Sequence, residues 1–330
     1  IDQDAYSRGT SVYYASSVIP MLPKELSNGI CSLNEGEDRL AFSAIMQLDH
    51  EGHMTSYRFE KTLIRSVVKG VYVEINSIFD GTASAEILKK YERVIPTLQD
   101  MKELFGKLIR NRDERGGLDL ESTESKIILD QNGLAIDIQP RHSGRSENMI
   151  EEFMLLANTA AASFGLEHEL PFLFRVHDNP PSEKIEVFEQ SMAEIGFDIS
   201  ELKKGVTQLA LYHILHKARG TKYELIVNNS ILRSMAKAQY SANNIGHFGL
   251  VIDKYSHFTS PIRRYPDLLI HRIMSAYLTG MKRENIEKRY RTFVSEAAEK
   301  TSMQEVRAMG IERDCEDCYK AEYARRHLGE

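Results

Sequence analysis

Two adjacent arginines, Arg263 and Arg264, lie where a helix is predicted to begin. Thr259 or Ser260 can accept hydrogen bonds from the first free N–H groups, and Pro261 suits the first helical position. The positive end of the helix dipole disfavours cations there. Two guanidiniums beside free backbone N–H groups therefore predict an anion site, and phosphate is the obvious anion.

Acidic and imidazole side chains follow the arginines at intervals of four residues. In a helix, Arg263, Asp267 and His271 share one face. One interpretation is a structural ladder in which Asp267 pairs with Arg263 or His271. A second is an Asp–His metal pair, which would need further ligands that the sequence does not place. The helix itself is indicated by apolar residues at helical spacing and a final glycine: Ile262, Tyr265, Leu269, Ile273, Ala276 and Gly280.

The patterns that must position these residues change along the chain. Hairpins are predicted over residues 40–59 and 126–138, with turns at 49–52 and 131–133. Residues 172–176 are predicted to form a short strand. Helices are predicted over 71–79, 96–112, 146–165, 183–195, 206–216, 223–239 and from 283 towards 325. Early strands and late helices indicate an α+β fold, with an antiparallel sheet or barrel covered by helices.

The composition is that of a soluble globular enzyme. The chain has 330 residues, 42% of them hydrophobic and 27% charged, and a net charge of −6. It has no apolar run of membrane length and no signal-peptide pattern, which predicts a cytoplasmic protein without a membrane partner. The net charge argues against indiscriminate nucleic-acid binding, so an RNA ligand would need a local basic channel. Cys315 and Cys318 are best interpreted as reduced thiols on a helix.

Several segments resemble one enzyme family. Residues 246–272 resemble, almost residue for residue, the signature of RNB-type exoribonucleases, the ribonuclease II and ribonuclease R family. Further segments resemble the ribonuclease R branch in the same order: residues 8–13, 18–23, 26–33, 150–154, 175–177 and 232–235. The resemblance implies that residues 1–330 are part of an RNB-type catalytic domain.

The resemblance also implies individual roles. Arg263 matches the arginine that contacts the scissile phosphate, and we assign Asp267 to orienting it; Arg264 is a further expected RNA contact. Tyr13 matches one half of an aromatic clamp on RNA, whose second position falls on Leu120 in this chain, so that the clamp is expected to be one-sided.

Two further positions match residues at the end of the RNA channel. Tyr72 is expected beside the last nucleotide, and Glu151 is expected to hold the terminal ribose, where a carboxylate can accept a hydrogen bond from the 2′-OH. Glu152 is expected on the surface. Glu312, in a predicted turn at 311–314, matches a position near the bound nucleotides. Weaker candidates for contacts with the RNA backbone are Arg175, Arg233 and Lys237.

The family hydrolyses RNA with Mg²⁺ held by a cluster of aspartates. That cluster is expected upstream of Ile1, because no two aspartates are adjacent in this chain. The expected parent is a processive, Mg²⁺-dependent 3′-to-5′ exoribonuclease that degrades single-stranded RNA to nucleoside 5′-monophosphates. The alternative is that this chain alone is an inactive RNA-binding channel. An outside interpretation is a metal hydrolase built around Asp267 and His271.

Overall fold

The computed structural model describes residues 1–118, 125–140 and 143–328. Its α-helices are α1 (Asp2–Arg8), α2 (Tyr72–Phe79), α3 (Ala85–Tyr91), α4 (Ile95–Arg115), α5 (Arg145–Glu167), α6 (Ser182–Glu194), α7 (Gln208–Ala218), α8 (Glu224–Ser234), α9 (Tyr265–Leu278) and α10 (Arg283–Arg326). Most of the helices predicted from the sequence are present within a few residues of the expected bounds.

The strands form separate antiparallel pairs. They are β1 (Val12–Tyr13) with β2 (Val18–Ile19), β3 (Asp38–Leu48) with β4 (Met54–Arg65), β5 (Ser125–Leu129) with β6 (Ala135–Pro140), and β7 (Phe174–Val176) with β8 (Gln239–Ser241). The α+β prediction and both predicted hairpins are confirmed. Within the described ranges the sheets have two strands each, and none of them closes into the barrel offered as one possibility.

The β3–β4 hairpin packs one face against the main core. Phe42 and Phe59 point to the same side of the hairpin, because Phe42 pairs with Lys61, two residues after Phe59. Both rings contact Phe258, at centroid distances of 5.6 and 5.1 Å. The hairpin therefore forms a wall beside the segment that carries the two arginines.

Helices α5, α9 and α10 supply most of the remaining main core. The buried side of α9 includes Leu269, Ile270 and Ile273, each fully buried. The N-terminal part of the long helix α10 joins the same cluster through Ile286 and Val294. Two smaller clusters lie among α6–α8 and among α2–α4.

Local patterns missed some elements. The short helices α1 and α3 were not predicted, and α8 ends at Ser234, five residues earlier than expected. Gln239, the last residue assigned to this helix, instead begins β8, in which Tyr240 pairs with Arg175 of β7. Cys315 and Cys318 lie on α10 as free thiols, as predicted.

Within the described part of the chain, no helix combines the length and apolar character needed to cross a bilayer.

Candidate functional site

The two arginines precede helix α9 rather than opening it. The helix begins at Tyr265, and Arg264 is its N-cap residue with extended backbone angles (φ −130°, ψ 126°). The prediction that Pro261 starts the helix and that both arginines lie in its first turn is therefore wrong. Pro266 takes the first-turn place instead. We call residues 258–264 the arginine loop.

Long-range pairing explains this late start. The N–H of Ser11 donates to the carbonyl of Arg263 (2.9 Å), and the N–H of Tyr265 donates to the carbonyl of Gly9 (2.9 Å). Thr10 forms an isolated antiparallel bridge with Arg264. These partners hold residues 263–264 extended, and no local sequence pattern reveals them.

Asp267 pairs with Arg264 and not with Arg263. Its carboxylate accepts from Nε of Arg264 at 2.8 Å and from Nη2 at 2.7 Å, and it also accepts the N–H of Ser260 at 2.7 Å. The assignment of Asp267 to direct orientation of Arg263 is therefore wrong. Burial alone would lower the pKa of Arg264, but the charge of Asp267 raises it, so this guanidinium stays charged. Arg264 as an RNA contact stays a prediction.

Arg263 presents an exposed guanidinium. Among the described residues, no side chain or carbonyl forms a hydrogen bond or ion pair with it. Its backbone, in contrast, is fixed by Ser11 and by its own N–H bond to the carbonyl of Ser260 (3.2 Å). A fixed backbone with an open cationic side chain suits a phosphate ligand.

His271 anchors the start of the arginine loop. Its Nε2 lies 2.7 Å from the carbonyl oxygen of Phe258, and its ring contacts those of Phe42 and Phe258. Burial lowers the pKa of His271, so the neutral ring donates Nε2–H to that carbonyl. Since Asp267 and His271 are both engaged in these contacts, the described geometry gives no support to a metal pair formed by them.

Tyr13 and Glu312 lie together although nearly 300 residues separate them. The backbone N–H of Tyr13 donates to Oε1 of Glu312 at 2.7 Å, and the tyrosine side chain is 44% exposed. Glu312 lies within helix α10, so the predicted turn at 311–314 is wrong. Leu120, the expected second clamp position, lies outside the described residues.

Tyr72 and Glu151 lie near the N-terminal ends of two packed helices. Tyr72 opens α2 with a half-exposed ring, and its carbonyl accepts from Oγ of Ser146 on α5 (3.2 Å). Glu151 is exposed. The expectation that Glu152 is a surface residue is wrong, because Glu152 is buried and accepts from Arg112 at 2.9 Å. Burial raises the pKa of Glu152, and Arg112 offsets part of that rise.

Asn158 connects helix α5 to the arginine loop. It lies seven residues, almost two turns, after Glu151 and therefore on the same face. Its Oδ1 accepts the N–H of Phe258 at 2.9 Å, and its Nδ2 donates to the hydroxyl of Tyr255 at 3.0 Å. Sequence reasoning assigned it no role, although an amide beside a run of alanines on a buried helix face is a usable signal.

A group of buried and half-buried polar residues lies beside the β7–β8 pair. The rings of His177 and His247 are 5.0 Å apart, and the Nδ1 of His247 accepts the N–H of Leu250 at 3.2 Å. Burial lowers the pKa of His247 to about 3.

Arg175, a weak candidate for RNA contact, donates to Glu305 at 2.5 Å and lies over the ring of Tyr240. Its guanidinium is thus engaged, whereas Arg233 and Lys237 are exposed.

One group in the described residues has metal-ligand geometry. Ligand atoms of Asp49, Glu51 and His53 lie within 4.8 Å of one another at the exposed turn between β3 and β4. The Asp49 carboxylate accepts the N–H groups of Glu51 and His53, which gives it a role in the turn. This exposed turn does not fit a catalytic Mg²⁺ site, because no hydrogen bond or ion pair of the described residues joins it to the arginine loop.

The comparisons with known proteins all indicate the same family. The RNB domain model matches residues 1–280. Ribonuclease R 1 of Lactococcus lactis is 40% identical over the whole chain, which covers 40% of that protein. Ribonuclease R of Thermotoga maritima is also 40% identical over the whole chain, which covers 46% of it. The chain thus spans less than half the length of these curated relatives.

A solved structure shares the same architecture. Mycoplasma genitalium RNase R in complex with ribose-methylated single-stranded RNA matches the whole chain with a TM-score of 0.92 and 27% identity, over 51% of that structure's chain. Together with the family model, this similarity confirms the resemblance seen in residues 246–272. The chain belongs to the RNB domain family and is a relative of ribonuclease R.

Proposed function

We propose that this chain is an RNA-binding fragment of the catalytic domain of a hydrolytic 3′-to-5′ exoribonuclease. Its substrate is single-stranded RNA, and its products are nucleoside 5′-monophosphates released with little sequence preference. The observation that carries the proposal is Arg263, an exposed guanidinium without a protein partner among the described residues, on a loop whose backbone is held from both sides. The ribonuclease R relatives over the whole chain support the same reaction.

Each proposed contact follows from the chemistry of its side chain. Arg263 donates to the scissile phosphate and stabilises the negative charge that grows on it during hydrolysis. Glu151 accepts a hydrogen bond from the terminal 2′-OH, a group that DNA lacks. Tyr13 offers a half-exposed ring for stacking on a base, and Tyr72 offers another at the end of the channel. Glu312 acts through the backbone of Tyr13, which it holds.

Mg²⁺ is the metal we propose for the parent enzyme, where it would activate water and clamp the phosphate. The exposed cluster at Asp49 does not fit this task. We further propose that residues 1–330 form one catalytic-domain piece in a cytoplasmic protein. The packing of Ile286 and Val294 of α10 in the main core supports this, because α10 lies beyond the part matched by the family model.

Labelled single-stranded RNA tests the proposal. With the protein at its full natural length and Mg²⁺, a label on the 3′-terminal nucleotide should appear at once as a mononucleotide. A 5′ label should remain on a steadily shortening strand, and DNA of the same sequence should persist. Internal fragments, or equal loss of DNA, would refute the assignment. Nothing in the described residues favours the alternative of an inactive RNA-binding chain over hydrolysis, and the same assay on the 330-residue chain separates the two.

A further inference from the structure

The arginine loop has few regular backbone partners at its start and is held there by side chains. The N–H of Phe258 is bound by Asn158, the carbonyl of Phe258 by His271, and the N–H of Ser260 by Asp267. Two of these three side chains, Asp267 and His271, belong to α9, the helix that follows the loop. Asn158 is the one of the three that comes from another element, helix α5.

The orientation of the Asn158 amide is set by its partners. A backbone N–H can only donate, so the amide oxygen must face Phe258 and the amide nitrogen must face the hydroxyl of Tyr255. Asn158 is 3% exposed, so water does not replace either bond. Loss of the amide would leave a buried N–H without a partner, and the loop would have to shift to satisfy it.

Helix α5 also carries Glu151, on the face that bears Asn158. Seven residues correspond to about 10 Å along the helix axis. Through Asn158, the loop that presents Arg263 is therefore fixed to the helix that presents Glu151. The two residues proposed to hold the phosphate and the ribose of one nucleotide thus share one buried connection.

We propose that Asn158 is a positioning residue, which sets the distance between Arg263 and Glu151 by binding the backbone of Phe258. The proposal rests on the proposed function, since it gives that distance a catalytic meaning. Placement within less than about 1 Å matters at such a site, and misplacement by that amount costs on the order of 100-fold in rate. Because Asn158 touches no substrate group in this assignment, its loss should lower kcat while KM stays within a few-fold.

A double-mutant cycle tests this role in the protein at its full natural length, with single-stranded RNA and Mg²⁺. Asn158→Leu should lower kcat by on the order of 10- to 100-fold. In the Arg263→Ala background, the same change should cost little more, because the group that Asn158 positions is already gone. Asn158→Asp keeps an acceptor for the Phe258 N–H and should restore most of the rate. Thr159→Val is the matched control, since among the described residues the Thr159 hydroxyl bonds only the carbonyl of Leu155 in its own helix.

The outcomes separate the two proposals. If Arg263→Ala leaves hydrolysis unchanged, the proposed function fails. If Arg263→Ala is impaired but Asn158→Leu multiplies that loss in full, Asn158 acts independently of Arg263 and the positioning role is wrong. Should Asn158→Leu fail to fold, as judged by its thermal transition, Asn158→Asp carries the test through its kcat. A loss with Asn158→Asp as large as that expected for leucine would then overturn the role.

Discussion

The carboxylate of Asp267 binds the guanidinium of Arg264 through two hydrogen bonds of 2.7 and 2.8 Å, and the neighbouring guanidinium of Arg263 is left open. Two adjacent residues of the same type therefore have different tasks. Arg264 is a largely buried, paired cation, with its side chain 16% exposed and that of Asp267 fully buried. Arg263 is the cation available to a ligand.

Asp267→Asn should destabilise the fold by about 3 kcal/mol, because it leaves the buried Arg264 charge without its counterion. Urea denaturation measures the change in the free energy of unfolding. The matched control is Asp2→Asn, which breaks the more exposed ion pair of Asp2 with Arg272 (2.6 Å) and should cost less than about 1 kcal/mol. Equal losses in the two variants would contradict the structural role of the buried pair.

Arg263→Ala should reduce RNA hydrolysis on the order of 100- to 1,000-fold, as expected when one donor to developing negative charge is removed. Its thermal transition should stay within a few degrees of the unmodified protein, because the guanidinium makes no hydrogen bond or ion pair with the described residues. Arg264→Ala is the comparison, and it should fail mainly in stability. A stable Arg264→Ala variant with a destabilised Arg263→Ala variant would reverse the assignment.

Substitution of Glu151 should affect RNA binding, whereas substitution of Glu152 should affect the stability of the fold. Glu151→Ala should weaken RNA binding by roughly 10-fold, about the loss of one hydrogen bond to a charged group, and leave DNA binding unchanged. Glu152→Gln should instead lower the free energy of unfolding by about 1–3 kcal/mol, since Arg112 loses a buried carboxylate. Fluorescence anisotropy and urea denaturation measure the two effects. Weaker RNA binding in Glu152→Gln alone would contradict the prediction.

His247 should make the free energy of unfolding depend on pH. Its folded-state pKa is lowered to about 3, whereas an unfolded histidine titrates near about 6.5. Between these values the unfolded state binds more protons, so stability is full above about pH 6.5 and falls with decreasing pH, by about 1.4 kcal/mol per unit for this one residue. His247→Asn keeps an acceptor for the Leu250 N–H and should flatten that slope. An unchanged slope in His247→Asn would contradict the prediction.

The limits of sequence reasoning are clearest at residues whose partners are distant in the chain. Alternation predicted the hairpin that contains Phe42 and Phe59, because its pairing is local. The start of α9 was placed at Pro261, because nothing local indicates that Ser11 binds the carbonyl of Arg263. Glu152 can be buried because Arg112, which lies on another helix, donates to its carboxylate, and this partner is also distant in the chain. Local periodicity carries neither kind of information.

Separation along the sequence also explains why no role could be predicted for Asn158. Its place on the face of Glu151 follows from helical spacing, but its bond to Phe258 joins residues 100 positions apart. The identities of Arg263, Tyr13 and Glu151 as candidates came from motif resemblance, and their roles stay predictions. The bonds from Ser11 to Arg263 and from Asn158 to Phe258 are visible in the structure alone.

The pairing of residues 9–11 with residues 263–265 has a consequence for synthesis. Thr10 and Arg263 are separated by 253 positions, so a growing chain makes one partner long before the other. At about 5–20 residues per second, the interval is roughly 10–50 s. During that time residues 9–11 lack their partner, because the arginine loop has not yet been made. The extended conformation of residues 263–264 can therefore form only after the chain has been made through residue 265.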